Sequence, residues 1–221
     1  MTSTRLPTSL AAQPCVLLTG FDAFGADRFT PAPLNPSWLA VQALQDELIA
    51  GHRVVAAQLP TVFATAGRAL QQLMHTHRPA LVVCVGQAGG RHALSIERVA
   101  LNLSDAAIAD NAGIQPRNLP VMPGQPAAYF TNLPVHAMQQ AVQDAGVPAE
   151  LSLSAGLFVC NYVFYDLMHA LATEPAWRGV RGGFIHVPYL PSQGVPSLAL
   201  ADTVRGLRAA LVCALTIPES G

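Results

Sequence analysis

Two nearly unbroken apolar runs, Cys15–Phe21 (C-V-L-L-T-G-F) and Leu81–Gly86 (L-V-V-C-V-G), stand out along the chain. Runs without a polar face suit strands covered on both sides by helices. Between them, Ser37–Ile49 carries Leu39, Val41, Leu44 and Leu48 at roughly helical spacing, and Pro36 suits a helix start. Arg53–Leu59 reads as a strand, and Thr61–His77 as a second helix with Val62, Ala66, Leu70 and Leu73 on one face. Strand, helix, strand, helix, strand at these lengths predicts a mainly parallel sheet with right-handed crossovers.

The alternation from Ala93 to Leu103 changes parity. Leu94 and Ile96 are even, Val99, Leu101 and Leu103 are odd, and Glu97 sits at the switch. A carboxylate there lies at a bulge or turns inward, where it needs a partner, and Arg91 or Arg98 can supply one. Residues 104–126 are rich in Asp, Asn, Gly and Pro and have no steady period, which predicts a long excursion able to cover a site. Helical spacing returns over Ala127–Ala145, with Tyr129, Leu133, Val135, Met138 and Val142 as expected core contacts. A strand is expected at Leu151–Ala155, a helix at Cys160–Ala172, a short strand at Gly182–Val187 and a closing helix at Pro196–Ile217. The whole predicts one α/β domain over residues 15–221, a three-layer sandwich with a mainly parallel twisted central sheet flanked by helices. Residues 1–14 read as a loose N-terminal extension and not as a cleaved leader.

Composition sharpens this picture in a few places. The 221 residues are 51% hydrophobic and 11% charged, with a net charge of −1, so neither nucleic acid nor an anionic membrane is an expected partner. No apolar run is long enough to predict a spanning helix. Four widely spaced cysteines, without a C-x-x-C pair or a neighbouring histidine pattern, predict free thiols in the cytoplasm and no metal. Gln87–Arg91 (Q-A-G-G-R) follows a strand but is neither a dinucleotide fingerprint nor a P-loop, so no cofactor is expected and small-ligand contact fits better. The loop after the first strand carries Phe21, Phe24 and Trp38, near a strand end where α/β proteins build sites.

Cys15, Cys84 and Cys213 fall in apolar strand or helix faces and read as packing residues. Cys160 alone sits where a strand gives way to a helix, where unpaired N–H groups and the helix dipole favour a thiolate; a nucleophile and a packing thiol both fit. Among seven histidines, His186 alone lies in an apolar strand that runs into a proline-bounded loop (P-Y-L-P), which suits either a base or a satisfied core imidazole. Glu97 is the acid whose apolar setting asks for a reason. A thiol, an imidazole and a buried acid would complete a nucleophilic triad.

These residues fall within five ordered motifs: L-L-T-G-F-D-A-F-G with N-P-S-W, V-G-Q-A-G-G-R through E-R-V-A-L-N, A-D-N-A-G, A-G-L-F-V-C-N, and G-G-F-I-H-V-P-Y-L-P. Together they resemble the pyroglutamyl peptidase I family of α/β thiol peptidases from about Val16 to Leu200. The resemblance implies Cys160 as nucleophile, His186 as base and Glu97 as the acidic third member. It implies that a pyroglutamyl ring lies between Phe21 and Phe24, with support from Asn35, Gln87 and the backbone around Phe158 and Val159. It also implies peptides with N-terminal pyroglutamate as partners and a homo-oligomer, dimer or tetramer. The chain departs from the family at Ile96, where proline is usual, and at Ala107 and Ala109, where D-A-R-I-P-D-N has become D-A-A-I-A-D-N. Two other readings are set beside it: another Cys-dependent amidohydrolase, weakened by the lack of a G-x-C-x-G elbow, and a non-catalytic small-ligand-binding α/β domain.

Overall fold

Strand β1 (Cys15–Phe21) is buried at every position, as its uninterrupted apolar pattern requires, and it lies near the middle of a seven-stranded sheet. The computed structural model describes residues 13–25 and 34–217. Most of the predicted N-terminal extension, residues 1–12, therefore lies outside the described residues, as do residues 26–33 of the first loop. The further strands of the sheet are β2 (Leu48–Ile49), β3 (His52–Leu59), β4 (Leu81–Gln87), β5 (Leu94–Glu97), β8 (Ala149–Ser152) and β9 (Arg181–Val187). They lie in the order β2-β3-β1-β4-β9-β5-β8. β3, β1, β4 and β9 run parallel, β2 is antiparallel to β3, and β5 turns the far edge antiparallel to β9.

Helices α1 (Pro36–Gln42), α3 (Val135–Asp144) and α5 (Leu200–Thr216) cover one face, packing on Val16, Leu18, Val83, Val85 and Ile185. Helices α2 (Phe63–His77) and α4 (Val159–Thr173) cover the other, over Leu17, Val82, Cys84 and Phe184. Residues that alternate along one strand thus feed two different cores, the period-2 geometry of a sheet buried on both sides. The three layers match the sequence expectation.

Two predicted helices are much shorter than their spacing suggests, and the closing helix begins at Leu200, not at Pro196. α1 ends at Gln42, the chain turns over residues 43–46, and Leu48–Ile49 becomes an edge strand. Leu48 is 63% exposed, so its place four residues after the fully buried Leu44 was not one helical face. Likewise the expected helix over Ala127–Ala145 opens as strand β7 (Ala128–Phe130), paired antiparallel with β6 (Val99–Leu101), and α3 starts only after Pro134. The Thr131 and Asn132 side chains bond the Gly182 carbonyl and N–H, which pins this stretch against β9 and rules out a helix there.

The parity change near Glu97 is real, and its cause is a change of sheet: β5 belongs to the large sheet, and β6, one residue later, to the small one. The excursion over residues 104–126 is stitched to the body. Buried Asp110 accepts from the N–H of Phe63 at the start of α2 (2.9 Å) and from Ala112 and Ile114, while Asn111 donates to the Ala23 carbonyl (2.8 Å). Both partners lie in A-D-N-A-G, which gives that motif a structural reason.

Candidate active site

The site forms at the C-terminal edge of β4 and β9. α4 runs antiparallel to these strands: Leu167 and Leu171 meet Gly182 at their N-terminal end, and Cys160 meets Gly86 at the other. Cys160 therefore sits on the first turn of α4, over the strand ends. The predicted strand Leu151–Ala155 ends earlier, at Ser152, and a connection with Gly156 in the left-handed region (φ +74°) leads into the helix. The helix cap, Phe158, offers no side-chain bond, so among the described residues the first N–H groups of α4 have no capping partner.

Glu97 and His186 are in direct contact. Across the antiparallel β5–β9 pair, Ser95 faces His186 and Glu97 faces Phe184, so the acid reaches the imidazole along the diagonal. His186 Nδ1 lies 2.8 Å from Glu97 Oε1, and both side chains are buried. The same oxygen accepts from Arg91 Nη1 at 2.7 Å. Glu97 is thus paired with Arg91, as the simplest sequence reading held, and with His186 as well; Arg98 does not contribute. Burial works against the charge of Glu97, but the bond and charge of His186, the nearby Ser152 hydroxyl and the Arg91 guanidinium outweigh it and hold its carboxyl below the ordinary value. An anionic carboxylate only accepts, so Nδ1 carries the imidazole proton and Nε2 is left as a free base. Burial pushes His186 down from the ordinary histidine value, more than Glu97 raises it, which keeps the ring neutral.

Gly86 pairs with His186 across β4 and β9, and a Cβ on Gly86 would stand 2.8 Å from Cys160 Sγ. The thiol is thereby lodged over the strand pair that carries the imidazole. Among the described residues no hydrogen bond joins Sγ to the ring, and nucleophile–base bonds are commonly long before substrate binds. Cys160 keeps part of its surface open, yet its sulfur is packed so closely that burial, then the charge of Glu97, pushes the thiol up to about 12. Cys15, Cys84 and Cys213 are buried packing thiols, as expected, and all four cysteines are free.

The predicted binding residues divide. Phe24 is half-buried with its ring 5.9 Å from that of Phe158, and Phe63 meets Phe158 edge-on at 5.4 Å. Phe21 does not form the second wall beside Phe24. As the last residue of β1 it points into the core, 2% exposed, with its ring 6.3 Å from Phe184. Asn35 is likewise committed to the fold: its Oδ1 accepts from Ser37 N and Oγ, capping α1, and its Nδ2 donates to Asp22 O. Val159 is fully buried, which leaves only its backbone for contact. Gln87, Phe24 and Gly89 line a cleft of about 680 Å³ with Tyr189, Ser192 and Gln193.

Sequence reasoning missed two residues of this site and part of the role of a third. Phe63 looked like any apolar helix residue. Asn161, beside Cys160, clasps β6 by accepting from Leu101 N–H and donating to the Leu101 and Leu103 carbonyls, and nothing local signals that. Arg91 was weighed as a partner for Glu97, but not as one that shares it with His186. Among the described residues no three of His, Cys, Asp or Glu are grouped to hold a metal ion.

The profile of a family described as pyroglutamyl peptidase matches residues 15–217. A pyrrolidone-carboxylate peptidase of Cupriavidus taiwanensis is 54% identical over 208 residues, covering 92% of this chain and 94% of that protein. The crystal structure of Bacillus amyloliquefaciens pyroglutamyl peptidase I superposes with a TM-score of 0.88 at 41% identity, covering 95% of this chain and all of that one. A mutant pyrrolidone carboxyl peptidase from the hyperthermophile Pyrococcus furiosus gives 0.84 at 36% identity, over 90% of this chain and 97% of that one.

Proposed function

The chain belongs to the pyroglutamyl peptidase family, enzymes that remove N-terminal pyroglutamate from peptides, and we propose that it does so with Cys160 as nucleophile, His186 as base and acid, and Glu97 as the group that orients the imidazole. The observation that carries this assignment is the buried 2.8 Å bond from His186 to Glu97 behind the strand pair on which the Cys160 thiol rests.

Burial raises the Cys160 thiol above its ordinary value, which favours loss of its proton in step with attack. Its proton passes to Nε2 of the neutral His186 as Sγ attacks the carbonyl carbon joining pyroglutamate to the next residue. The resulting imidazolium is stabilised by Glu97 through Nδ1–H. The oxyanion lies against the uncapped N–H groups of α4, that of Cys160 among them, where the helix dipole also favours negative charge. His186 returns the proton to the departing amine and the C–N bond breaks, leaving a thioester. Water, deprotonated by His186, then attacks it and releases pyroglutamate and the thiol.

The substrate ring is a neutral lactam with one N–H and one C=O. Aromatic walls from Phe24, Phe158 and Phe63 suit its apolar body, and Gln87 and nearby backbone groups suit its polar edge. No carboxylate is needed to receive an ammonium group. We also assign the chain to the cytoplasm, where four free thiols persist, and to a homo-oligomer, dimer or tetramer, for which the 680 Å³ apolar cleft between α3 and α5 offers a contact face. Among the described residues no helix is long and apolar enough to cross a membrane. Hydrolysis of a pyroglutamyl aminocoumarin tests the reading: wild type is expected to turn it over and Cys160→Ser to fold but lose activity. A fully active Cys160→Ser, or turnover of glutamine alone, would refute it.

A further inference from the structure

Three groups meet at one oxygen. Glu97 Oε1 accepts from His186 Nδ1 at 2.8 Å and from Arg91 Nη1 at 2.7 Å, while Oε2 is buried with no partner. The second branch of the same guanidinium, Nη2, donates to the carbonyl of Ser154 at 3.0 Å, in the connection that leads to Cys160. Arg91 thus binds the acid of β5 and the approach to α4 with one rigid, permanently charged fork. From this arrangement we propose that Arg91 is a positioning residue of the peptidase: it divides the charge of Glu97 with the imidazole, so that His186 stays unprotonated, and it fixes the height of the connection that delivers the nucleophile.

The physical reason lies in the sharing. A carboxylate that served His186 alone, in a setting with Oε2 already unsatisfied, would hold a proton on the ring strongly and spoil it as a base near neutrality. A cation on the same oxygen offsets that pull. The charged and titratable groups around the imidazole are Glu97 on β5, Arg91 on the loop before it, and the thiols of Cys84 on β4 and Cys160 on α4. Of these only Arg91 opposes protonation of the ring by its charge, and its effect on His186 is in that direction. Because Glu97 and His186 titrate as a coupled pair, loss of the cation raises the pH at which the pair takes up its first proton, whichever of the two carries it.

The inference rests on the catalytic roles assigned to Cys160, His186 and Glu97, and the experiment separates the two. The pH dependence of kcat/KM for a pyroglutamyl aminocoumarin is measured for wild type, Arg91→Gln and Arg91→Lys, with circular dichroism as a check on folding. Arg91→Gln is expected to move the acid limb upward by about one pH unit, the scale of one nearby charge. Arg91→Lys keeps the charge but cannot bridge Glu97 and Ser154 at once. It should leave the limb within about 0.3 of a unit of the wild-type position, by the same charge argument, and lower kcat. An Arg91→Gln enzyme with an unmoved limb, or a lysine variant displaced as far as the glutamine one, overturns the charge-sharing role. Should Arg91→Gln fail to fold, the Arg91→Lys limb alone decides. If Cys160→Ser or His186→Ala keeps full activity, the underlying assignment fails instead.

Discussion

Gly86→Ala reports on the seat of Cys160, the proposed nucleophile, without replacing a reacting group. A methyl at this position stands 2.8 Å from Cys160 Sγ, 2.9 Å from Phe184 Cζ and 3.0 Å from Phe184 Cε1. Non-bonded heavy atoms settle at about 3.5–4.0 Å, so the neighbours must retreat by roughly 1 Å. Phe184 cannot yield: it is fully buried, with the rings of Phe21 and Phe164 centred 6.3 and 5.7 Å away. The sulfur, on the first turn of α4 and partly open, is the atom that moves. A reacting atom misplaced by ~1 Å costs about 10²-fold in rate. The overpacked site costs about 1–3 kcal/mol of stability, and at about 2–4 °C per kcal/mol for a chain of this size the melting temperature should fall by several degrees. The assay is kcat/KM on a pyroglutamyl aminocoumarin beside a thermal melt of the same preparation. A variant within threefold of wild type would show that the thiol does not work from over Gly86, and the placement of the nucleophile would have to be abandoned.

The pH profile should show an acid limb of kcat/KM below the ordinary histidine value of 6.5, because burial lowers His186 and activity, which needs the neutral ring, is lost as pH falls through that lowered value; a limb at 7 or above contradicts this. Iodoacetamide should modify Cys160 first among the four thiols, since the other three are buried, and activity should disappear in step; uniform, slow labelling with activity retained would count against it. Asp166→Asn should stabilise the protein at pH 7 by about 1 kcal/mol, because the new amide can donate to Gln71 Oε1, a buried acceptor without a partner. Burial raises the Asp166 carboxyl above its ordinary 3.8, so what its protonated form contributes is present below 3.8 and lost as pH rises through the raised value; the variant should flatten that decline, and equal melting curves from pH 4 to 7 would refute it.

How much of this was legible in the sequence depended on how local each cause was. β1 and β4 were readable because burial on both faces leaves no polar position. Cys160, His186 and Glu97 were readable as anomalies: a thiol at a helix start, an imidazole ending an apolar strand, a carboxylate at a parity change. The extent of α1 was not, because Leu48 repeats a helical interval while paired to Arg53 on an edge strand, a partner outside the window. Nor was the state of the thiol. The helix terminus that should lower it is visible in the sequence, whereas the packing that raises it comes from β4, β5 and β9 together. Nor was the setting of Phe21 and Asn35, since an aromatic or amide in a loop-side motif looks the same whether it faces a ligand or the core; Phe21 packs on Phe184 and Asn35 caps α1.

The reversal of β5 explains why the anomalies form one site. Were β5 parallel to β9, its last residue would lie at the same sheet edge as Val187, one residue past the imidazole. Running antiparallel, it places Glu97 opposite Phe184, two residues below His186, so the carboxylate approaches Nδ1 from inside the protein. Nε2 is then left for the open edge, where the first turn of α4 brings Sγ. The same reversal forces the chain out of the large sheet at Arg98 and into β6, which Asn161 clasps from the position after the nucleophile. One change of strand direction thus buries Glu97, leaves His186 one free nitrogen and ties the helix that carries Cys160 to the segment after Glu97. Removing that tie with Asn161→Ala should therefore lower kcat more than it raises KM, and a variant changed only in KM would sever the link between the small sheet and the chemistry.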